Sequence, residues 1–355
     1  MWNPFKMFFP KKMVGIDIGT SAIKIVEISR WGQGKTLENY GEIKSEFISK
    51  EPLLNAKKSN SLVSNTLTAK AIKAILNEAR IKTRSVVFSI PDFSTFCTSF
   101  EIPPMPEKEI SGAISYNASQ YITLPIKEVT LDWKIVPNPI GDKNSPIKVF
   151  LVAVPNQVIQ DYQTIAKMAG LEIYALEAEA LSITRVLASN NKKTICLMDI
   201  GVQSSTVNII ENGFLRRSYS FSFYSGQLSR AISSALGIEL DQAEEIKNKE
   251  GLISQKEGLS ETLYPLIDPL LVAIKSISSE FFQSEKKKVE EIYLTGGTAN
   301  LPGLKEYFTE SLKITVYVPN CFAGFLYAPI LDKTLKELSL SFSVAVGAAL
   351  SALEK

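Results

Sequence analysis

The chain has 355 residues, 39 Lys and Arg against 37 Asp and Glu, three cysteines and no histidine, a length that predicts two domains with a core each. Lacking histidine, it excludes Ser-His-Asp and Cys-His triads, His-ligated metals and a histidine pH switch, so chemistry must rest on carboxylates, lysine, hydroxyls, backbone amides or a borrowed Mg²⁺. A net charge of +2 excludes a nucleic-acid footprint, and Cys97, Cys196 and Cys321 read as small buried hydrophobes in a reducing compartment.

Residues 1–12 mix Trp2, Phe5, Phe8 and Phe9 with Lys6, Lys11 and Lys12. They form either an aromatic and basic tail for an anionic membrane or a partner, or a frayed start. They are too short and interrupted for a signal peptide, and nothing downstream supplies a membrane-spanning run. From Val14 the pattern predicts a strand to Asp17, a Gly-rich turn and a second strand over 23–28. A polar loop follows over 57–68, then a helix over 68–79 with Ala71, Ile72, Ile75 and Leu76 at helical spacing, and a strand over 85–90.

After Pro91-Asp92 the texture changes. A helix over 107–121, strands over 131–136 and 149–154 and an amphipathic helix over 157–169 read as a small α+β module, residues 93–175, inserted into the first domain. A helix over 178–189, a polar hinge at 189–193 and a strand over 195–199 open the second domain. The division is therefore 13–92, 176–193 and 337–355 for the first domain, 194–240 and 290–336 for the second, and 241–289 for a helical subdomain.

Two openings match. Val14-Gly15-Ile16-Asp17-Ile18-Gly19-Thr20-Ser21 parallels Cys196-Leu197-Met198-Asp199-Ile200-Gly201-Val202-Gln203, and each runs through a hydroxyl-rich turn into another strand. A strand–Asp-x-Gly–strand unit occurring twice suggests a duplicated domain facing itself across a cleft. Such hairpin tips present backbone N–H groups and the hydroxyls of Thr20, Ser21, Ser204, Ser205 and Thr206 to phosphate oxygens. Asp17 and Asp199 supply hard oxygens for Mg²⁺, directly or through water, and Lys24 offsets phosphate charge. A third element, Leu294-Thr295-Gly296-Gly297-Thr298 before Pro302-Gly303, allows close approach to a base or ribose, or is a plain strand-to-helix loop. Asp241 reads as the N-cap of a helix on which Glu244 and Lys247 share a face, by themselves a solvated ion pair.

In this order the motifs resemble the actin-like ATPase superfamily, which holds Hsp70, sugar kinases, MreB and FtsA. The resemblance implies duplicated ribonuclease H-like α/β domains with ATP or ADP and Mg²⁺ between them. It also implies adenosine contacts from Gly226, Glu244, Lys247 and Gly296 to Thr298. Leu176-Glu177-Ala178-Glu179-Ala180-Leu181 resembles the first connecting helix, where Glu177 best matches the water-orienting residue, and 343–350 resembles the small-residue second connecting helix. The inserted block resembles the extra FtsA subdomain. The opening, the Leu-Glu-Ala-Glu-Ala-Leu connector and Asp199 to Asn208 are most similar to the PilM family of type IV pilus assembly. That resemblance implies a cytoplasmic protein at the inner membrane face that binds the N-terminal peptide of a PilN-like membrane protein beside the insert. Other pilus proteins would be further partners, membrane contact would run through the partner, and a homo-oligomer stays open. Val202 and Ser225-Gly226 depart from the superfamily's glycines, which implies binding with at most slow hydrolysis. An FtsA-like or MreB-like filament protein and a small-molecule kinase are the alternatives.

Overall fold

The computed structural model describes residues 11–48, 65–136 and 145–354. The first domain is built on β1 (Lys11–Ile18), β2 (Ala22–Trp31), β3 (Gly34–Lys44), β4 (Ser85–Ile90) and β8 (Glu172–Ala178). Its order is β3-β2-β1-β4-β8, with the short β14 (Phe325–Leu326) outside β3. β1 to β3 run antiparallel, and β4 and β8 are parallel to β1.

The second domain repeats this plan as β11-β10-β9-β12-β13, from β9 (Thr194–Ile200), β10 (Ser204–Glu211), β11 (Phe214–Ser222), β12 (Glu291–Thr295) and β13 (Thr315–Tyr317). β9 to β11 are antiparallel, and β12 and β13 run parallel to β9. The suggested duplication is therefore one of topology as well as of sequence.

Both sheets are covered on two faces, and their central strands are correspondingly apolar over residues 13–16 and 195–198. Val14, Ile16 and Ile18 join a core with α1 (Asn65–Glu78) and α3 (Asn156–Ala169), whereas Met13 faces α10 (Ser343–Ser351). Likewise Cys196, Met198 and Ile200 face α5 (Gly226–Leu236) and α7 (Leu259–Glu285), while Ile195 and Leu197 face α4 (Glu179–Ala188). Side chains alternate along a strand, so Asp17 and Asp199 share the strand faces that meet α10 and α4. The two connecting helices cross tightly. A Cβ on Gly347 would lie 1.9 Å from the Ser182 carbonyl oxygen, and one on Gly15 would lie 2.0 Å from that of Ala345.

Between β4 and β8 a third sheet, β5-β7-β6, is formed by β5 (Phe96–Ile102), β6 (Val129–Ile135) and β7 (Ile147–Pro155). One face packs on α2 (Glu107–Ala118) through Phe100, Ile114, Val149 and Leu151. On the other, Phe150 and Val136 share a core with Ile183, Ile195, Leu197 and Leu215, so the insert rests on the hinge helix and the second domain. The sequence reading carried the insert to residue 175, yet α3 packs on α1 and the first sheet, with Tyr162, Ile165 and Ala166 in that core.

Other differences are local. β1 starts at Lys11, so Lys11 and Lys12 are strand; the tail reading for residues 1–10 lies outside the described residues. The polar loop over 57–68 ends by 65, where α1 begins, and residues 57–64 lie outside the described residues. The reading did not foresee β3 or β11, edge-side strands with mixed burial and no apolar run. The helix α6 (Leu240–Lys249) is preceded by Glu239, without a side-chain cap, so Asp241 lies in its first turn. Among the described residues no helix is long and apolar enough to cross a membrane.

Candidate functional site

The β1–β2 and β9–β10 turns close in the same way. The Gly19 N–H donates to the Ala22 carbonyl at 2.9 Å, and the Gly201 N–H donates to that of Ser204 at 3.1 Å. The two turns line opposite walls of one cavity of about 200 Å³ between the domains. Asp17, Gly19, Thr20, Ser21 and Lys24 come from the first domain; Asp199, Gly201, Ser204, Thr206, Gly296 and Gly297 come from the second.

Glycine is required at two of these places. A Cβ on Gly201 would lie 2.6 Å from the Ser204 carbonyl oxygen, which would break the turn. Gly296 adopts φ +86°, and a Cβ there would lie 2.4 Å from the Asp199 carboxylate. Gly297 faces open space, leaving room for a planar group against the backbone.

The electrostatics are unbalanced. Asp17 is 4% exposed, and burial raises its carboxyl above the usual range, although Lys24 at 3.7 Å and the Ser89 hydroxyl at 3.3 Å oppose that rise. Burial, with Asp92 and Asp17 adding repulsion, pushes the Asp199 carboxyl up to about 7. Burial and the charges of Asp17, Asp92 and Asp199 push Glu179 well above the usual range. Among the described residues, Lys24 is the one cation lining the cavity, against the carboxylates of Asp17, Glu42, Glu179 and Asp199, a donor set that favours added positive charge. Among the described residues no three acidic or cysteine side chains converge closely enough to hold a metal alone, so a cation here needs further oxygens from a ligand or water.

Comparison with known proteins places the chain. The sequence model of the family described as type IV pilus assembly protein PilM matches residues 15–353. The chain belongs to the PilM family. It is also 21% identical to the cell division protein FtsA of Enterococcus faecalis, an alignment covering 86% of this chain and 78% of that protein. Among solved structures, a PilM–PilN type IV pilus biogenesis complex superposes with a TM-score of 0.81 at 24% identity, covering 97% of this chain and 99% of that one. MreB5 of Spiroplasma citri bound to AMPPNP superposes with a TM-score of 0.53 at 12% identity, over 97% of each chain. The fold is thus the actin-like ATPase fold expected from the motifs.

Within this PilM-family fold, several predicted site residues stand elsewhere. Glu177 does not line the cavity. It is the penultimate residue of β8, where Arg185 grips it through Nη1 and Nη2 at 2.6 Å each and the Ser182 hydroxyl donates at 2.7 Å. Glu179, two residues on and first in α4, lines the cavity instead. Ser205 alternates away from Ser204 and Thr206 and is buried, its hydroxyl without a partner. Gly226 begins α5, whose approach is tied to the second turn by the Ser225 N–H donating to the Val202 carbonyl at 3.0 Å. Glu244 accepts from Lys247 at 2.5 Å and from Ser229, joining α6 to α5, and Thr298 lies in the turn after Gly297; Ser205, Gly226, Glu244, Lys247 and Thr298 do not line the cavity.

The sequence reading missed Asp92. Its carboxylate accepts from the Ala180 N–H at 3.0 Å while its own N–H donates to Glu179 at 3.2 Å, so it braces the start of α4. The Pro91-Asp92 pair stopping β4 was visible only as a turn signal.

Proposed function

We infer that this type IV pilus assembly protein binds ATP or ADP with Mg²⁺ in the interdomain cleft and couples nucleotide state to capture of a PilN-like membrane protein's N-terminal peptide. The observation that carries the reading is the meeting of two matched Asp-x-Gly turns, with Lys24 and the open Gly296-Gly297 backbone, on the walls of one cavity. Turn amides and hydroxyls suit phosphate oxygens, and Lys24 adds one positive charge. A bound Mg²⁺ would offset the remaining carboxylate charge, with Asp17 and Asp199 holding its water shell.

The hinge supports a switch more than a fast enzyme. Val202, 38% exposed, stands in the cleft where the superfamily pattern implies glycine, and Glu179 is the carboxylate available to orient water. Ligand that touches both turns favours one relative orientation of the domains by its differential contacts. The insert packs on the second domain and α4, so domain orientation reaches its surface, where an extended peptide would dock. A cytoplasmic position beneath the inner membrane, with the membrane reached through the partner, fits this reading.

Titration calorimetry with Mg-ATP, with a PilN-like N-terminal peptide and with both together tests it. Asp17→Ala should abolish Mg-ATP binding and weaken peptide capture, whereas unchanged nucleotide affinity in that variant overturns the site.

A further inference from the structure

A second cavity, about 340 Å³, adjoins the first and shares Ser204 with it. It lies between two strand edges. Among the described residues β5 is hydrogen-bonded in its sheet only to β7, and β11 only to β10, so the sides of β5 and β11 that face each other carry no ladder there. The edges touch where the Ser99 hydroxyl donates to the Arg216 carbonyl at 3.1 Å; toward the phosphate turns they part, and the cavity opens.

Its lining is aromatic and hydroxylic. Phe93, Phe96, Tyr219 and Phe221 supply ring faces, and Ser218, Ser220 and Ser222 recur at every second residue of β11. Among the described residues, Asp92 is the only charged one lining the cavity, and no lysine or arginine lines it. Asp92 is 6% exposed, and while its Oδ1 is engaged by Ala180, its Oδ2 has no hydrogen-bond partner. The Thr206 hydroxyl, which also tempers the Asp92 carboxyl, is shared with the Ser220 hydroxyl at 2.9 Å. A buried carboxylate oxygen without a donor is costly, and a donor that brings positive charge removes that cost most effectively.

We propose that this cavity takes a cationic side chain, an arginine guanidinium or lysine ammonium, carried on an extended segment of a partner polypeptide lying between β5 and β11. The cation donates to Asp92 Oδ2. Its aliphatic stem packs on Phe96 and Phe221, and ring faces attract the charge. The strand edges on either side offer backbone groups to an extended chain, which a free small cation cannot use. Because Ser204 belongs to both cavities, the inserted charge stands beside the phosphate turns. This assignment holds with or without nucleotide and is tested without it.

Cys97 lines the cavity half-buried while Cys196 and Cys321 are buried; burial and the Asp92 charge push its thiol up to about 12, so its slow alkylation by N-ethylmaleimide is followed over hours at about pH 9, where its rate reads occupancy. Arginine amide at about 20 mM should slow the reaction at least about threefold and saturably, whereas the neutral isostere citrulline amide should not. The peptide acetyl-Val-Arg-Val-amide should protect equally at about tenfold lower concentration. Protection should vanish in Asp92→Asn, which keeps an oxygen for the Ala180 N–H, and should weaken in Phe96→Ala. Four results overturn the proposal: no protection, equal protection by citrulline amide, protection retained in Asp92→Asn, or protection by MgCl₂ and not by arginine. Equal potency of arginine amide and the peptide would assign the cavity to a free small cation and overturn the polypeptide occupant.

Discussion

The two halves of this molecule share a backbone plan and differ in how they treat the aspartate at its centre. In the first, Asp17 pairs across the hairpin with Lys24; in the second, the residue in register with Asp199 is Thr206. One half therefore carries its own counter-ion, and the other leaves its carboxyl pushed up to about 7. A second difference lies two residues upstream, where Gly15 passes beneath α10 but Leu197 packs into the core around α4. Duplication preserved the turn, while charge and packing diverged so that one domain passes beneath the hinge helix and the other leaves its carboxylate without a counter-ion.

Exchanging residues between the halves tests this. Gly15→Leu, which copies the second half into the first, should have the largest effect: its Cβ meets the α10 backbone at 2.0 Å, and the cost should exceed about 3 kcal/mol in urea denaturation, or prevent folding. Lys24→Thr should lower Mg-ATP affinity by about tenfold to a hundredfold, read by calorimetry, because it removes the one cation lining the cleft among the described residues.

Stability of the ligand-free protein should also depend on pH, with a sign set by the raised carboxyls. Asp199, at about 7, and Asp92, at about 6, bind protons in the folded state at pH values where the unfolded chain, near 3.8, has released them. Stability should therefore fall as pH rises from about 4 to 7, by on the order of a few kcal/mol, and the thermal midpoint should follow. Asp199→Asn should flatten that profile; a midpoint that climbs between pH 5 and 7 contradicts the electrostatics described. The smallest effect separates the two glutamates of the connector. Glu177→Gln should cost about 1–2 kcal/mol by loosening the Arg185 grip, whereas Glu179→Gln should be neutral or stabilising above pH 7, since it removes a repelled charge.

Much of the cleft was legible because phosphate turns are local. Asp, Gly and hydroxyl residues within a few positions specify a hairpin tip by themselves, so eleven of the predicted positions line one cavity. The connector was harder. Glu177 and Glu179 flank the junction where β8 becomes α4, and a shift of two residues across it exchanges a side chain held by Arg185 for one facing the cleft. Asp92 gave no motif, since its role arises from contacts with residues nearly ninety positions away. α3 carried its amphipathic pattern plainly, but the pattern does not say which sheet its apolar face will cover.

The sequence by itself determined the family, the actin-like duplication and the chemistry available to a site without histidine, because those depend on residue type and short-range spacing. Tertiary structure alone decided which carboxylate faces the cleft, that the insert leans on the second domain, and that a buried aspartate beside two strand edges keeps one oxygen without a donor. Each of these is set by long-range packing, where burial and the absence of a partner, more than residue identity, fix the energy of a charge.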